Sequence, residues 1–244
     1  MGLLDLLASI FGPKEGKGTP TPNPVKDLPA PQGKTIPVVH MPIQTGIVPA
    51  NLILSDGFSK AFHEAFTKAM KWETGLTIDY SDPEIQAGKI DTPAQRKKCG
   101  YTDGVSGYSA HDSGGETKFG VAQNAHKNVT VRTLTLAQAM HIYQVGYWDA
   151  VCGDELNPEV AKYVFDIGCG SGPRKAITML QNAIGVTQDG VMGPLTLGQV
   201  NHEDPKQLVI KLQQLRCNFY RSIVANNPSQ GVFLNGWLNR ANDI

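Results

Sequence analysis

Glu73 stands where a sequence would place a general acid. Phe58, Phe62, Phe66 and Met70, with Ala61, Ala65 and Ala69 beside them, recur at the spacing of one helix face. Continued by one turn, that apolar stripe reaches Glu73, and Gly75 then stops the helix. The carboxylate therefore faces inward or onto a cleft floor. It also sits in the last turn, where the helix dipole disfavours a second negative charge. Burial acts in the same direction, so both effects favour the protonated form that general-acid catalysis uses. On spacing alone, the position equally fits a stripe-edge glutamate that reaches solvent or pairs with a lysine.

The second chemical segment runs from His111 to Val121 and contains Asp112, Gly114, Gly115, Thr117, Lys118, Phe119 and Gly120. Two adjacent glycines after an aspartate read as a tight turn leading into a strand. Taken by itself, the segment is a hairpin. Beside Glu73, it offers a second carboxylate and a hydroxyl. The six histidines form no HExxH pair, so a zinc peptidase or amidase is not indicated. Nor do the four cysteines, at 99, 152, 169 and 217, show CxxC spacing; they read as free, partly buried thiols, with one or two disulfides as the alternative that an even count permits. No metal and no cofactor is expected.

Those residues need a scaffold, and its pattern is mainly helical. A helix starts near Ser55 or Asp56, either of which can cap it, and ends at Gly75. Further apolar periodicities mark helices over 135–147, 158–167, 174–184 and 205–224. The last is opened by Asp204 as cap and Pro205 at the first helical position. Strand signals are confined to Thr117–Val121 and Val129–Val131, which could pair briefly. Between 77 and 110 the pattern gives way to Gly, Asp, Ser, Thr and Pro, with a basic cluster at 96–98, and this stretch reads as a long loop or insertion. The expected fold is mainly α, of the α+β lysozyme-like kind. It is a helical bundle with at most one small β-hairpin or sheet, preceded by an extended Pro-rich N-terminal arm.

Nine of the 16 prolines lie in the first 50 residues, and 19–24 must run extended. Before them Leu3, Leu4, Leu7, Ile10 and Phe11 form a short amphipathic stripe without Lys or Arg, better suited to a groove on another protein than to an anionic membrane; composition alone fits a frayed, disordered tail equally. The chain of 244 residues has 22 basic and 22 acidic side chains, so no basic excess points to nucleic acid. No apolar run approaches the ~20 residues of a membrane span, and no signal-peptide pattern opens the sequence. Three parts are expected: an arm at 1–50, a catalytic domain at 51–150 with an insertion at about 77–110, and a C-terminal helical region at 151–244 packed against it.

Several segments in order resemble glycoside hydrolase family 108, the phage-type lysozymes that act as N-acetylmuramidases. Trp72-Glu73-Thr74-Gly75 is similar to that family's helix end, and Asp112 to Val121 to the segment that follows it. Leu134–Ala139, Tyr147-Trp148, Val164-Phe165-Asp166, Ser171-Gly172-Pro173 and Leu180-Gln181 continue the match. It closes with Asp189–Thr196, Arg216, Tyr220 and Gly236–Arg240, in the family's C-terminal peptidoglycan-binding region.

The resemblance implies Glu73 as catalytic acid, Asp112 as the carboxylate facing the oxocarbenium-like transition state, and Thr117 as the group that orients water. Gly115, Phe119, Tyr147 and Trp148 are candidates at the substrate; Tyr147, Trp148 and Trp237 could stack on sugars, although such residues more often belong to core or rim. The sequence departs from the family in three places: Thr74 replaces a glycine, Glu73 and Asp112 are further apart than usual, and Gly170 stands where the family has Asn.

The substrate implied is the glycan strand of peptidoglycan, cut at the β-1,4 bond between N-acetylmuramic acid and N-acetylglucosamine. An arm that anchors at 1–50 points to a phage tail or baseplate lysozyme, carried in the virion and acting on the host periplasm and cell wall. A free endolysin, a catalytically silent tail component and a lytic transglycosylase are the competing readings. Asp189–Thr196 also reads as a Gly-Pro turn that launches a helix.

Overall fold

The computed structural model describes residues 56–75, 77–88 and 117–243. The arm at 1–50, the basic cluster at 96–98, Cys99, Asp112 and Gly115 lie outside them.

The first helix, α1, spans Lys60–Thr74. Its cap is Ser59, whose hydroxyl accepts from the amide of Phe62 at 3.2 Å, and not Ser55 or Asp56 as the sequence pattern suggested. Asp56 instead accepts from the Phe58 amide and pairs with His63 at 2.8 Å. Gly75 closes α1 in the left-handed conformation that glycine adopts freely (φ 71°), as expected from its position. A short helix α2, Pro83–Gln86, is capped by Asp82 within the stretch read as a loop.

The sheet is one two-stranded hairpin, β1 (Thr117–Lys118) against β2 (Val121–Ala122), with Thr117 opposite Ala122 and Lys118 opposite Val121. This corrects the expected pairing with Val129–Val131: residues Val131–Thr133 form a 3-10 turn instead. The two-residue loop is Phe119-Gly120, with φ of 51° and 73°. Positive φ at both centres is the turn whose twist suits adjacent antiparallel strands. Phe119 bears the steric cost of that conformation because its ring is fully buried in the core.

Helix α3, Leu136–Tyr143, opens with a capping box between Thr135 and Gln138 and runs into a single π turn, Gln144–Trp148. Helix α4, Pro158–Ser171, is buried on nearly every side from Tyr163 to Gly170. A helix apolar all round belongs at the centre of a bundle, and α4 packs against α1, α5 (Pro173–Ile184) and α7 (Pro205–Asn226). Helix α6 (Pro194–His202) lies between the last two in sequence, and α8 (Gly231–Asn242) folds back on α7.

An aromatic cluster ties the first half to α4. Phe62, Trp148 and Phe165 meet pairwise at ring separations of 5.6 to 6.0 Å, and Tyr143 joins through Phe66 at 5.3 Å. Each such ring contributes on the order of 1.5–3 kcal/mol by leaving water. Burial of this kind fixes the height of α1 against α3 and α4, and so fixes where its last turn delivers Glu73.

The segment from Asp189 to Thr196 is a structural turn. Buried Gln181 donates to Asp189 (2.7 Å), to the Val191 carbonyl (3.0 Å) and to Thr196 (3.3 Å), and accepts from the Gly190 amide at 2.9 Å. Pro194 then starts α6. Cys152, Cys169 and Cys217 are free thiols.

Candidate active site

Glu73 is the penultimate residue of α1, and its side chain is only 1% exposed. The apolar stripe thus carries the carboxyl into a sheltered position. The neighbouring Thr74 turns its hydroxyl back to the Met70 carbonyl at 2.8 Å. On one side of Glu73 lies the hairpin loop. A methyl group built on Gly120 would come within 2.3 Å of the Tyr143 hydroxyl and 3.5 Å of Glu73 Cβ and Cγ. Gly120 is therefore required twice, for its positive φ and for its close approach to the Tyr143 hydroxyl, with Glu73 in ordinary contact beside it.

On the other side lies an arginine that the sequence reading gave no role. Arg240, near the end of α8, donates from Nη1 to Glu73 Oε1 at 2.6 Å. Its Nε and Nη2 donate to Asp166 Oδ1 at 3.0 and 2.8 Å, and Asp166 Oδ2 accepts from Arg216 Nη1 at 2.7 Å. Arg216 Nε in turn donates to the Tyr220 hydroxyl at 3.0 Å. Glu73, Arg240, Asp166 and Arg216 form an alternating ladder of two carboxylates and two guanidiniums, all buried. Opposite charges in sequence offset the desolvation that would expel any one of them. Burial alone would raise the Asp166 carboxyl; Arg240 and Arg216 more than offset it and hold that carboxyl far below its usual range.

The two oxygens of Glu73 are thereby made unlike. Oε1 is held by Arg240, whereas Oε2 is buried with no hydrogen-bond partner among the described residues, and the Tyr143 hydroxyl nearby is in the same state. Burial first, and then the charge of Glu73, push the Tyr143 phenol well above its usual range. Burial, with Cys169 and Glu73 behind it, does the same to Tyr147. Both phenols thus remain neutral donors beside the carboxyl.

The other expected site residues divide. Thr117 is half-buried on β1, two residues before the loop that meets Glu73. Tyr147 is half-buried and feels the Glu73 charge. Phe119 and Trp148 are fully buried core side chains and offer no face to a sugar, which corrects the expected place of Phe119 at the substrate and gives Trp148 the core position that was its alternative. Asp112 and Gly115 lie outside the described residues. Arg240, Asp166, Arg216 and Tyr143 are the functional neighbours that the sequence reading missed. A signal existed: Asp166 interrupts the apolar run Val164–Ile167, and Arg216 lies one turn from both Leu212 and Tyr220 on the buried face of α7. A charge on a buried stripe implies a buried partner.

The family model of glycosyl hydrolase 108 matches residues 102–172, and a model described as a predicted peptidoglycan domain matches residues 175–242. Glu73 precedes both matches, Asp166 falls in the first, and Arg216 and Arg240 fall in the second. Twelve chains of known structure match. Among them is SagA of Brucella abortus, 30% identical over 56% of this chain and 80% of that one, with a TM-score of 0.48. No curated protein matches.

Proposed function

The chain belongs to the glycosyl hydrolase 108 family, a glycoside hydrolase acting on peptidoglycan, and we propose that Glu73 is the acid that protonates the departing glycosidic oxygen. The observation that supports this most is the asymmetry of its two oxygens. Arg240 fixes Oε1, so the transferable proton belongs on Oε2, the oxygen that no described residue engages. Proton transfer from Oε2 to the bridging oxygen lets the C1–O bond break, and charge develops on the sugar ring. Asp112 is the carboxylate proposed to face that charge, and Thr117 the hydroxyl proposed to orient the attacking water. Gly115 and Tyr147 are the remaining candidates for contact with the glycan.

The bond cut is the β-1,4 link from N-acetylmuramic acid to N-acetylglucosamine. Mass spectrometry of a peptidoglycan digest tests this. New reducing ends on N-acetylmuramic acid, each gaining the elements of water, are expected. Reducing ends on N-acetylglucosamine contradict the proposed bond, and 1,6-anhydro products contradict hydrolysis.

The setting proposed is a phage virion. Residues 1–50 combine a short apolar stripe with a proline spacer, a combination suited to tethering an enzyme to a tail or baseplate protein. In this reading the lysozyme travels in the particle and opens the host wall locally during infection.

A further inference from the structure

We propose that Arg240 is a positioning residue for the reaction, so that the C-terminal region completes the catalytic centre rather than serving only to hold the wall. The inference rests on Glu73 as the acid. Three of the Arg240 hydrogen bonds go to Asp166 and one to Glu73. The guanidinium is therefore oriented by α4 and would keep its place without Glu73. Asp166 is oriented in turn by Arg216 from α7. Among the described residues the carboxyl of Glu73 is the end of this chain, held by Arg240 alone.

Such a ladder is a poor device for stability alone, because apolar residues of the same volume do that work without desolvating four charges. As a device for placing a carboxyl it is well suited. The planar fork of arginine can grip Asp166 with one edge and Glu73 with another nitrogen, a geometry that a lysine ammonium cannot reproduce. The clamp fixes the rotation of the Glu73 carboxyl group and so aims Oε2. It also acts on the proton transfer itself. When Glu73 gives its proton to the glycosidic oxygen and the C1–O bond breaks, the carboxylate that remains is stabilised by the adjacent cation.

The groups whose charge Glu73 feels, among the described residues, come from three elements: Arg240 on α8, Tyr143 and Tyr147 on α3 and its π turn, and Cys169 on α4. Asp166 stands behind Arg240. The two phenols and the thiol are all shifted upward, primarily by burial, and stay neutral near pH 7. Among the described residues Arg240 is thus the permanent charge that touches the acid. Its removal takes from the carboxyl both its orientation and the cation that stabilises the carboxylate left by proton transfer, so turnover falls while substrate binding is retained.

The test compares full-length wild type with Arg240→Met, Arg240→Lys and Glu73→Gln, reading thermal unfolding and kcat and KM on peptidoglycan. Arg240→Met is expected to lower kcat at least tenfold with KM little changed. Arg240→Lys, which keeps the charge but cannot span both carboxylates, is expected to lower kcat with KM little changed, by less than Arg240→Met. If Arg240→Met fails to fold, Arg240→Lys carries the test through its kcat. A folded Arg240→Met with wild-type kcat, or Arg240→Lys with wild-type kcat and only a lower Tm, overturns the proposal and leaves a purely structural ladder. Wild-type activity in Glu73→Gln overturns the assignment of the acid instead, so the two failures are distinct.

Discussion

At the scale of single residues, the site depends on how closely neutral groups crowd the carboxyl. Gly120 shows this best, since a side chain there would meet the Tyr143 hydroxyl at 2.3 Å and Glu73 at ordinary contact distance. Gly120→Ala must displace the Tyr143 hydroxyl and hold an L-residue at a φ of 73°. The backbone term alone costs about 1–2 kcal/mol, which lowers Tm by roughly 2–8 °C in a chain of this size. Activity is expected to fall further than stability: a tenfold or greater loss of kcat on peptidoglycan at a temperature where the variant is fully folded. Wild-type kcat in the folded variant would show that the hairpin loop does not shape the site. Phe119 illustrates the complementary case. Its segment reads as a substrate loop in sequence, yet the two-residue turn swings its ring into the core, where burial holds the unusual backbone.

At the scale of elements, the helices were legible because their punctuation is local. Asn157-Pro158 and Asp204-Pro205 pair a capping side chain with a proline at the first helical position, and both helices start there. The stripe of α1 left Glu73 open to either a sheltered or a solvent-facing position, and the structure buries its side chain. The sheet was less legible, because a strand of two residues carries no period; the register is set by positive φ at Phe119 and Gly120, and a phenylalanine is a poor advertisement for that conformation. The ladder was not legible at all as a unit. Arg240 meets Glu73 across 167 positions and Asp166 across 74, and no periodicity records such distances. What the sequence does record is a charged residue on each buried stripe. The reasoning applied to Glu73 extends to Asp166 and Arg216 without change.

At the scale of the whole molecule, the C-terminal region and the catalytic half share one interior. The Tyr163 hydroxyl on α4 donates to the Ala241 carbonyl at 2.7 Å, Trp72 donates to Asp243 at 2.8 Å, and Lys68 reaches the Asp243 carbonyl, so α8 is fastened to α1 and α4 around Arg240. Among the described residues no helix is long and apolar enough to cross a membrane. The proposed route to the wall is the N-terminal arm. Deleting residues 1–50 is expected to leave peptidoglycan hydrolysis within about twofold of the full chain while abolishing incorporation into phage particles, as read by immunoblotting purified virions; undiminished incorporation would contradict the arm as anchor, and absence of the full chain from virions would favour a free endolysin. The central claim, however, is that one sheltered carboxyl supplies the proton. Its most direct measurement is the rate at which Glu73→Gln, shown by thermal unfolding to be folded, solubilises peptidoglycan beside the wild type. The account predicts a fall of at least ~100-fold, and a rate equal to that of the wild type would contradict it.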